Sequence, residues 1–408
     1  MQDPTQAFII RAFRRYYSKE PVEIPDRLSR REFGFMFFDR GFVLRHIGFK
    51  TKAELKSYMA ENVPAHVYHS SAYYENPNAP TMAEKKWMGA DLVFDLDADH
   101  LKNAEELTYP DMLEQVKVQI KRLLDEFITG DLGFDPDKLK IVFSGGRGYH
   151  VHVLDPRALG LGSHERREIV DYITGTDLNQ DWIILKRVFE TKQYGDIITP
   201  LYMYEAPTKR SGGWKKRVIT NLPKIIRHLE SIGEEAAVEE FSGIVDLNGK
   251  KISEKRMREF YSELFGKRGS TSAAERIISE EKVEVFQHDA LVNSLLSIIR
   301  HTTKIDLPGE TDEPVTSDIK RLIRLPSSLH GKTGLRVTAM TRDGLDEFDP
   351  LRDAVPKMLT EKVVKMTVKK PVDIELRGER IMMAEGDAEV PEFAALFLAC
   401  RKMGEIRQ

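Results

Sequence analysis

The sequence predicts an α+β protein in which a mixed region is interrupted by a mainly helical segment. Short apolar runs bounded by turn residues, typical of strands, occur before residue 157 and after residue 300. Amphipathic repeats with helical spacing occur in the same two regions. Between them helix formers dominate and strand patterns fade. We therefore expect one discontinuous domain, residues 1–156 and 301–408, and an insertion, residues 157–300.

The predicted elements follow one another from the N-terminus. Residues 5–17 have apolar side chains at helical spacing, with arginines between them. Apolar runs at 33–38 and 42–44 flank the turn-like tripeptide 39–41, which is typical of a hairpin. The remaining predicted elements are strands at 92–94, 141–143, 151–154, 335–338 and 363–368, and helices at 110–128 and 391–403.

Composition excludes several classes of protein. The chain has 408 residues, with 62 basic and 65 acidic side chains and a net charge of −3, which excludes a uniformly basic coat for nucleic acid. The single cysteine, Cys400, cannot form an internal disulfide, a cysteine-built zinc site or an iron–sulfur cluster. The N-terminus lacks the pattern of a signal peptide, and no apolar run reaches the ~20 residues that span a bilayer. We expect a cytoplasmic protein.

The first group of chemically suggestive residues is Asp95-Leu96-Asp97-Ala98-Asp99, directly after the apolar strand 92–94. Side chains two residues apart on a strand share a face, so Asp95 and Asp97 present adjacent carboxylates. Such a pair beside a buried strand is costly unless a cation offsets its charge. Magnesium takes oxygen ligands and commonly shares a site with substrate phosphates. The alternative is a solvated acidic strand end.

A calcium loop is a second alternative for this segment. Asp95, Asp97, Asp99 and Glu106 occupy positions 1, 3, 5 and 12 of that pattern. Position 6 requires glycine for a sharp turn, but it is His100. The preceding run also has the pattern of a strand and not of a helix, so the calcium loop is disfavoured.

The second group is the Ser-Gly-x-Arg-Gly-x-His sequence at 144–150, between two predicted strands. Its three glycines let the backbone approach a ligand and direct N–H groups towards it. Arg147 offers a fork for phosphate oxygens, and Ser144 and His150 offer further polar groups. The alternative is an ordinary glycine hairpin with an exposed arginine.

The third group extends from Asp312 to residue 334. It contains Gly331-Lys332-Thr333, but the glycine that a P-loop requires five residues earlier is replaced by Pro326. The segment still supplies a carboxylate, arginines and His330. Taken alone, it is also consistent with a basic loop after a short helix.

Together the three groups resemble the archaeo-eukaryotic primase superfamily, most closely the small catalytic subunit of archaeal DNA primases. The resemblance covers residues 1–345 and rests on three motifs in the same order. It implies a primase-type fold, with two small mixed β-sheets flanked by helices, the active site between them and a helical insertion before the third motif. It also implies synthesis of short primers from nucleoside triphosphates on a single-stranded DNA template, a large primase subunit as partner, and no membrane.

The resemblance also implies roles for individual residues. Asp95 and Asp97 match the metal-binding pair, and Asp312 matches the third carboxylate, for which Asp306 and Asp318 compete. Ungapped spacing from Asp312 to Arg324 and His330 favours Asp312. The residues that match nucleotide contacts are Ser144, Arg147, His150, Arg324, His330 and, with one residue of alignment slack, Arg45.

The cofactor implied is Mg²⁺ or Mn²⁺. Two such ions would activate the attacking 3′-hydroxyl and stabilise the leaving pyrophosphate. Many relatives carry a zinc knob built from cysteine and histidine, but with Cys400 alone we expect no zinc here.

Two other functions remain open at this stage. One is a primase-type repair polymerase, which makes long products without a large subunit. The other is a non-catalytic nucleic-acid-binding scaffold subunit. In each case the expected location is the cytoplasm, in association with the nucleoid. A template contact is also open: residues 209–217 are expected to form a basic loop in which Lys209, Arg210, Lys215, Lys216 and Arg217 meet phosphates and Trp214 stacks on a base.

Overall fold

The structure of the protein, a computed structural model, describes residues 3–101, 104–176, 185–195, 197–205, 210–246, 249–280, 289–306 and 311–407. The chain divides into two compact units, residues 1–170 with 310–408, and residues 171–309. The division falls within a helix that begins at Ser163, and Arg166 of this helix is buried in the first unit. Its guanidinium donates to the carbonyls of Ala90 and Asp91, both at 2.8 Å.

The helices occupy both units. They are α1 Pro4–Lys19, α2 Lys52–Asn62, α3 Met82–Lys85, α4 Tyr109–Arg122, α5 Ser163–Thr174, α6 Gly213–Phe241, α7 Glu254–Phe265, α8 Ala273–Glu280, α9 Asp289–Asp306, α10 Glu313–Ser317, α11 Arg342–Glu347, α12 Pro350–Asp353 and α13 Glu392–Cys400. The wider π-helical turns Leu123–Asp131 continue α4. Among the described residues, no helix is long and apolar enough to cross a membrane.

The strands are short, as the apolar runs predict. They are β1 Phe33–Met36, β2 Val43–Ile47, β3 His66–Ser70, β4 Ala72–Tyr74, β5 Trp87–Ala90, β6 Leu92–Asp97, β7 Leu139–Phe143, β8 Gly148–Val153, β9 Leu185–Tyr194, β10 Ile197–Glu205, β11 Lys267–Arg268, β12 Thr271–Ser272, β13 Leu322–Arg324, β14 Thr338–Met340, β15 Val363–Val368, β16 Val372–Leu376, β17 Glu379–Met383, β18 Gly386–Pro391 and β19 Gly404–Ile406.

Two four-stranded sheets form the first unit's framework, in the orders β14-β7-β8-β6 and β13-β3-β1-β2. The α+β class is confirmed, although every strand pair described in these two sheets is antiparallel, where mixed sheets were expected. Val93 of β6, Val315 of α10 and Ile323 of β13 pack in one buried cluster. This cluster brings the first motif against the third.

The first unit also contains smaller sheets after residue 345. Strands β18-β15-β19 form one, and β16-β17 form a hairpin. Helix α13 is buried along its whole length, which confirms the predicted apolar helix and the structural position of Cys400.

The second unit contains α6 to α9 and an antiparallel hairpin of β9 and β10. The sequence predicts a mainly helical region here, and the hairpin departs from that prediction. The β-branched and aromatic residues of β10, such as Ile197, Tyr202 and Tyr204, are the composition that could have indicated it.

Candidate active site

A cavity of about 730 Å³ opens between residues of the two four-stranded sheets. β6, β8 and the glycine loop 144–148 contribute one side, and β3 and β13 contribute the other. Predicted residues that the structure brings together here are Asp95, Asp97, Ser144, Arg147, His150, Arg324 and His330. Its volume is within the range of small-molecule sites.

Asp95 and Asp97 lie on the same side of β6, as the strand period predicts. Asp95 pairs in register with His150 of β8, and Asp97 with Gly148. The side chain of Asp95 is 20% exposed and its Oδ1 lies 3.3 Å from His150 Nε2. Because both residues are on β6 and not in a loop after a helix, the calcium-loop alternative is wrong.

Asp95 is electrostatically strained. Burial, the largest cause, together with the charges of Asp97 and Asp312 raises its pKa to about 7, against the lowering effect of Arg321 and Arg324. A buried carboxylate with two acidic neighbours is costly to ionise without a compensating positive charge. A divalent cation would supply that compensation.

Asp312 lies next to Asp95 but does not line the cavity. Its backbone N–H donates to the Asp95 carbonyl at 2.8 Å, and it occupies the N-cap position of α10. The charge of Asp318, by contrast, acts to raise the pKa values of Tyr74 and Arg166. The acidic neighbours that raise the pKa of Asp95 are Asp97 and Asp312. The side chain of Asp306 lies outside the described residues. Within the described part of the chain, no three His, Cys, Asp or Glu side chains are grouped closely enough to hold a metal ion.

The glycine loop packs directly on the third motif. Gly145 has φ +76°, and a Cβ there would lie 2.8 Å from His330 Cβ and 3.2 Å from the Leu335 carbonyl, so only glycine fits without a shift. Ser144 Oγ accepts hydrogen bonds from the N–H groups of Gly146 and Gly148, both at 3.3 Å. Ser144 therefore shapes the loop and keeps its own hydroxyl hydrogen for a ligand.

Arg147 projects from this loop and is paired with acidic neighbours. Its NH2 lies 2.7 Å from Asp99 Oδ2 and 3.7 Å from Asp97 Oδ1. The Asp99 pair is solvent-exposed and therefore weak. A phosphate group would compete for Arg147 at small cost.

His150 is buried and neutral. Burial, with a smaller contribution from the charges of Arg324 and Arg321, lowers its pKa to about 3. A neutral imidazole can donate from Nε2 to Asp95 or to a phosphate oxygen without adding charge.

Arg324 is fixed by aromatic neighbours. Its NH1 lies 2.5 Å from His66 Nδ1, and its guanidinium lies over the Tyr68 ring at 5.0 Å. His66 Nδ1 also accepts from the Gly331 N–H at 3.2 Å, so this nitrogen carries no proton. The rings of His330 and His66 meet edge-on, with their centroids 4.8 Å apart. These contacts hold the third motif's arginine and histidine together.

Five lining residues with basic or aromatic side chains were absent from the set predicted from the sequence. They are Tyr68, Arg321, Lys332, Arg401 and Lys402. Arg321 and Lys332 belong to the third motif and could have been chosen from it. The sequence does not indicate Arg401 and Lys402 as site residues, because they reach the cavity only through the packing of α13 beside Gly334.

The cavity is strongly cationic although the chain has a net charge of −3. Six basic side chains line it against two acidic ones, Asp95 and Asp97. The basic side chains are Arg147, Arg321, Arg324, Lys332, Arg401 and Lys402. Polyanion binding here depends on this local charge and not on the net charge.

Arg45 is not brought to this cavity. It lies on β2, and two strands separate β2 from β13, which corresponds to roughly 14 Å between strand axes. Its Nε and NH2 contact the two carboxylate oxygens of buried Glu32 at 3.1 and 3.2 Å.

The expected basic loop is wrong in its main features. Helix α6 begins at Gly213, so residues 213–217 are helical. Trp214 is buried, its Nε1 donates to the Tyr172 carbonyl at 2.8 Å, and buried Arg217 lies over its ring at 5.4 Å. Trp214 is therefore not available to stack on a base. Lys209 lies outside the described residues.

Adjacent carboxylates beside a glycine loop, with arginines across the cavity from them, are features typical of a site for a nucleotide or another polyphosphate. The comparisons with known proteins are more specific. A family described as DNA primase small subunit matches residues 94–342. The chain is 40% identical to the DNA primase small subunit PriS of Methanocella arvoryzae, over 98% of both chains. It is 39% identical to that of Methanothrix thermoacetophila, over the full length of both. The chain belongs to the DNA primase small-subunit family, which confirms the resemblance.

Proposed function

We propose that this chain is the catalytic subunit of a DNA primase and joins nucleoside triphosphates into short primers on a single-stranded DNA template. The observation that carries the proposal is the pair of adjacent carboxylates, Asp95 and Asp97, inside a cavity lined by six basic side chains. This combination suits a reaction in which a metal-bound triphosphate loses pyrophosphate. Family membership supports it independently.

The residues present fit Mg²⁺ or Mn²⁺. The donors are hard carboxylate oxygens, and magnesium is commonly held by one or two carboxylates together with substrate phosphates. Asp95 and Asp97 would hold the ions, with Asp312 as the third ligand once its side chain turns towards them. The bound ions would make the 3′-hydroxyl more acidic and neutralise the pyrophosphate charge.

The chain's own side chains bind and orient the triphosphate. Arg147, released from Asp99, and Ser144 meet it from the glycine loop. Arg324 and His330 meet it from the third motif, and neutral His150 donates one hydrogen bond beside Asp95. His150, Arg324 and His330 are held in place before the substrate arrives, which lowers the reorganisation needed at the transition state.

We further propose that a large primase subunit binds this chain and supplies most of the affinity for template. The proposed setting is a cytoplasmic, nucleoid-associated replication assembly. Neutralised phosphates make nucleic-acid binding depend on salt. Template affinity measured against salt should be weak for the isolated chain and strong for the complex.

The function is tested by synthesis on unprimed and primed single-stranded DNA, with the purified chain and with its complex. We expect short products from the unprimed template, dependent on a divalent cation. Extension of primed DNA only, into long products, would indicate a repair polymerase. Absence of products from both the chain and the complex would indicate a scaffold subunit.

A further inference from the structure

The C-terminal end of α13 forms part of the cavity wall. Arg401 and Lys402 line the cavity directly after the last helical residue, Cys400. Neither belongs to the three motifs, and the proposed function gives them no role. They lie more than 60 residues after the last motif, so only the fold places them here.

Arg401 is held by aromatic rings and not by an acid. Its guanidinium lies 4.0 Å from the centroid of Tyr109 and 5.5 Å from that of Phe397. In the part of the chain that the structure describes, no carboxylate forms an ion pair with it. The Tyr109 hydroxyl donates to the Gly146 carbonyl at 2.5 Å, which connects this arginine to the glycine loop.

Arg401 and Arg147 are close enough to repel each other. Burial lowers the pKa of Arg401, and the charge of Arg147 lowers it further. Both arginines also lower the pKa of Tyr109 against the larger raising effect of burial. Two guanidinium groups that line the same cavity, one of them without an acidic partner among the described residues, form a suitable position for an anion.

Lys402 is held in an unfavourable backbone conformation. Helix α13 ends with hydrogen bonds from Lys402 N to the Ala399 carbonyl at 3.0 Å and from Met403 N to the Leu398 carbonyl at 2.9 Å. In this helix ending, residue 402 adopts φ +60°, where glycine is the usual residue. Lys402 takes this conformation at the cavity wall, where its side chain adds a positive charge.

We infer that Arg401 and Lys402 form a second phosphate-binding pair, which contacts the triphosphate of the incoming nucleotide together with Arg147. The inference rests on the proposed function and extends it to the C-terminal tail. The triphosphate is favoured over a nucleic-acid strand because Arg401 adjoins the glycine loop, where Arg147 and Ser144 already face the phosphates. An anion between the two arginines also removes their mutual repulsion.

The test uses Arg401→Gln, Lys402→Gly and the charge-preserving Arg401→Lys, with Lys370→Gln as the matched control. Lys370 is an exposed lysine in the same C-terminal tail and does not line the cavity. Binding of a nucleoside triphosphate with Mg²⁺, and its displacement by inorganic tripolyphosphate, is measured without template. KM for the nucleotide and Kd for the template are then measured with the large-subunit complex.

We expect Arg401→Gln to weaken triphosphate binding about tenfold and to raise KM similarly, consistent with losing one charge-assisted contact. Arg401→Lys should recover part of the loss. Lys402→Gly should weaken binding about threefold while raising the thermal midpoint, because glycine relieves the strain at position 402. A purely structural lysine would give the rise in midpoint without the loss of binding. Lys370→Gln should match the wild type.

Three results would overturn the inference. If the wild type binds triphosphate and both charge-removing variants bind it equally well, the pair is not a phosphate contact, and the proposed function is untouched. If template Kd rises while triphosphate binding is unchanged, the phosphate belongs to the nucleic acid. If the wild type itself binds no triphosphate, the proposed function fails and the inference fails with it.

Discussion

Replacing Asp95 by asparagine should stabilise the metal-free protein while abolishing synthesis. The substitution keeps the size of the side chain and an oxygen near His150 Nε2, but it removes one of three neighbouring negative charges. In the wild type, burial and the charges of Asp97 and Asp312 raise the pKa of Asp95 from 3.8 to about 7. Above pH 7 the folded protein must therefore carry an unfavourable charge.

The size and sign of the effect follow from linkage. Between pH 3.8 and 7 the folded state holds a proton on Asp95 that the unfolded state has lost, so the contribution of Asp95 to folding stability falls as pH rises. Each pH unit corresponds to about 1.4 kcal/mol, which makes the total penalty about 4 kcal/mol above pH 7. From pH 5.5 to 7.5 the wild type should lose about 2 kcal/mol relative to Asp95→Asn.

Urea denaturation in chelator at pH 5.5 and 7.5 measures this difference. Asp137→Asn, which neutralises an exposed aspartate on the Pro136–Lys138 turn, is the control and should track the wild type at both pH values. A stability difference between wild type and Asp95→Asn that does not grow with pH would refute the electrostatic reasoning. Normal primer synthesis by Asp95→Asn would refute the assignment of Asp95 to the metal site.

Three further predictions follow from the same contacts. Asp99→Asn should lower KM for the nucleotide about two- to threefold, because it frees Arg147 from a weak exposed pair; steady-state kinetics that show a higher KM would contradict this. Stability should fall steeply as pH drops below 6.5, since burial keeps five histidines neutral in the folded state, and each contributes up to about 1.4 kcal/mol per pH unit; a flat denaturation midpoint from pH 6.5 to 5 would contradict it. The histidines are His66, His69, His150, His152 and His330. Metal analysis of the chelator-washed protein should find less than one zinc per chain, and a stoichiometric, tightly bound zinc would show that histidine and carboxylate ligands replace the missing cysteines.

The parts of the site that lie close together in the sequence were predictable from it. The two-residue period of a strand predicted that Asp95 and Asp97 share a face, and the structure confirms this. The glycine loop was predictable because its chemistry is contained in seven consecutive residues. Arg147, His150, Arg324 and His330 meet where their motifs predicted.

Features that depend on distant packing were not predictable. Arg401 reaches the cavity because a buried apolar helix packs beside the third motif, and the sequence of that helix indicates only burial. The composition of residues 209–217 predicted a basic loop that includes Trp214 and Arg217. In the structure an amphipathic helix begins at Gly213, and both side chains are buried. Arg45 was matched to a nucleotide-binding arginine of the family by its position in the sequence. The strand order places it on β2, at the edge of the sheet opposite β13.

Counting bound manganese by electron paramagnetic resonance tests the central claim most directly. The wild type is titrated with Mn²⁺ in the presence of a non-hydrolysable nucleoside triphosphate, beside Asp95→Asn, Asp97→Asn, Asp312→Asn and the Asp137→Asn control. We expect two ions per wild-type and control chain, and fewer in each of the other three variants, because their carboxylates hold the ions. Equal numbers of bound ions in all five proteins would contradict the account.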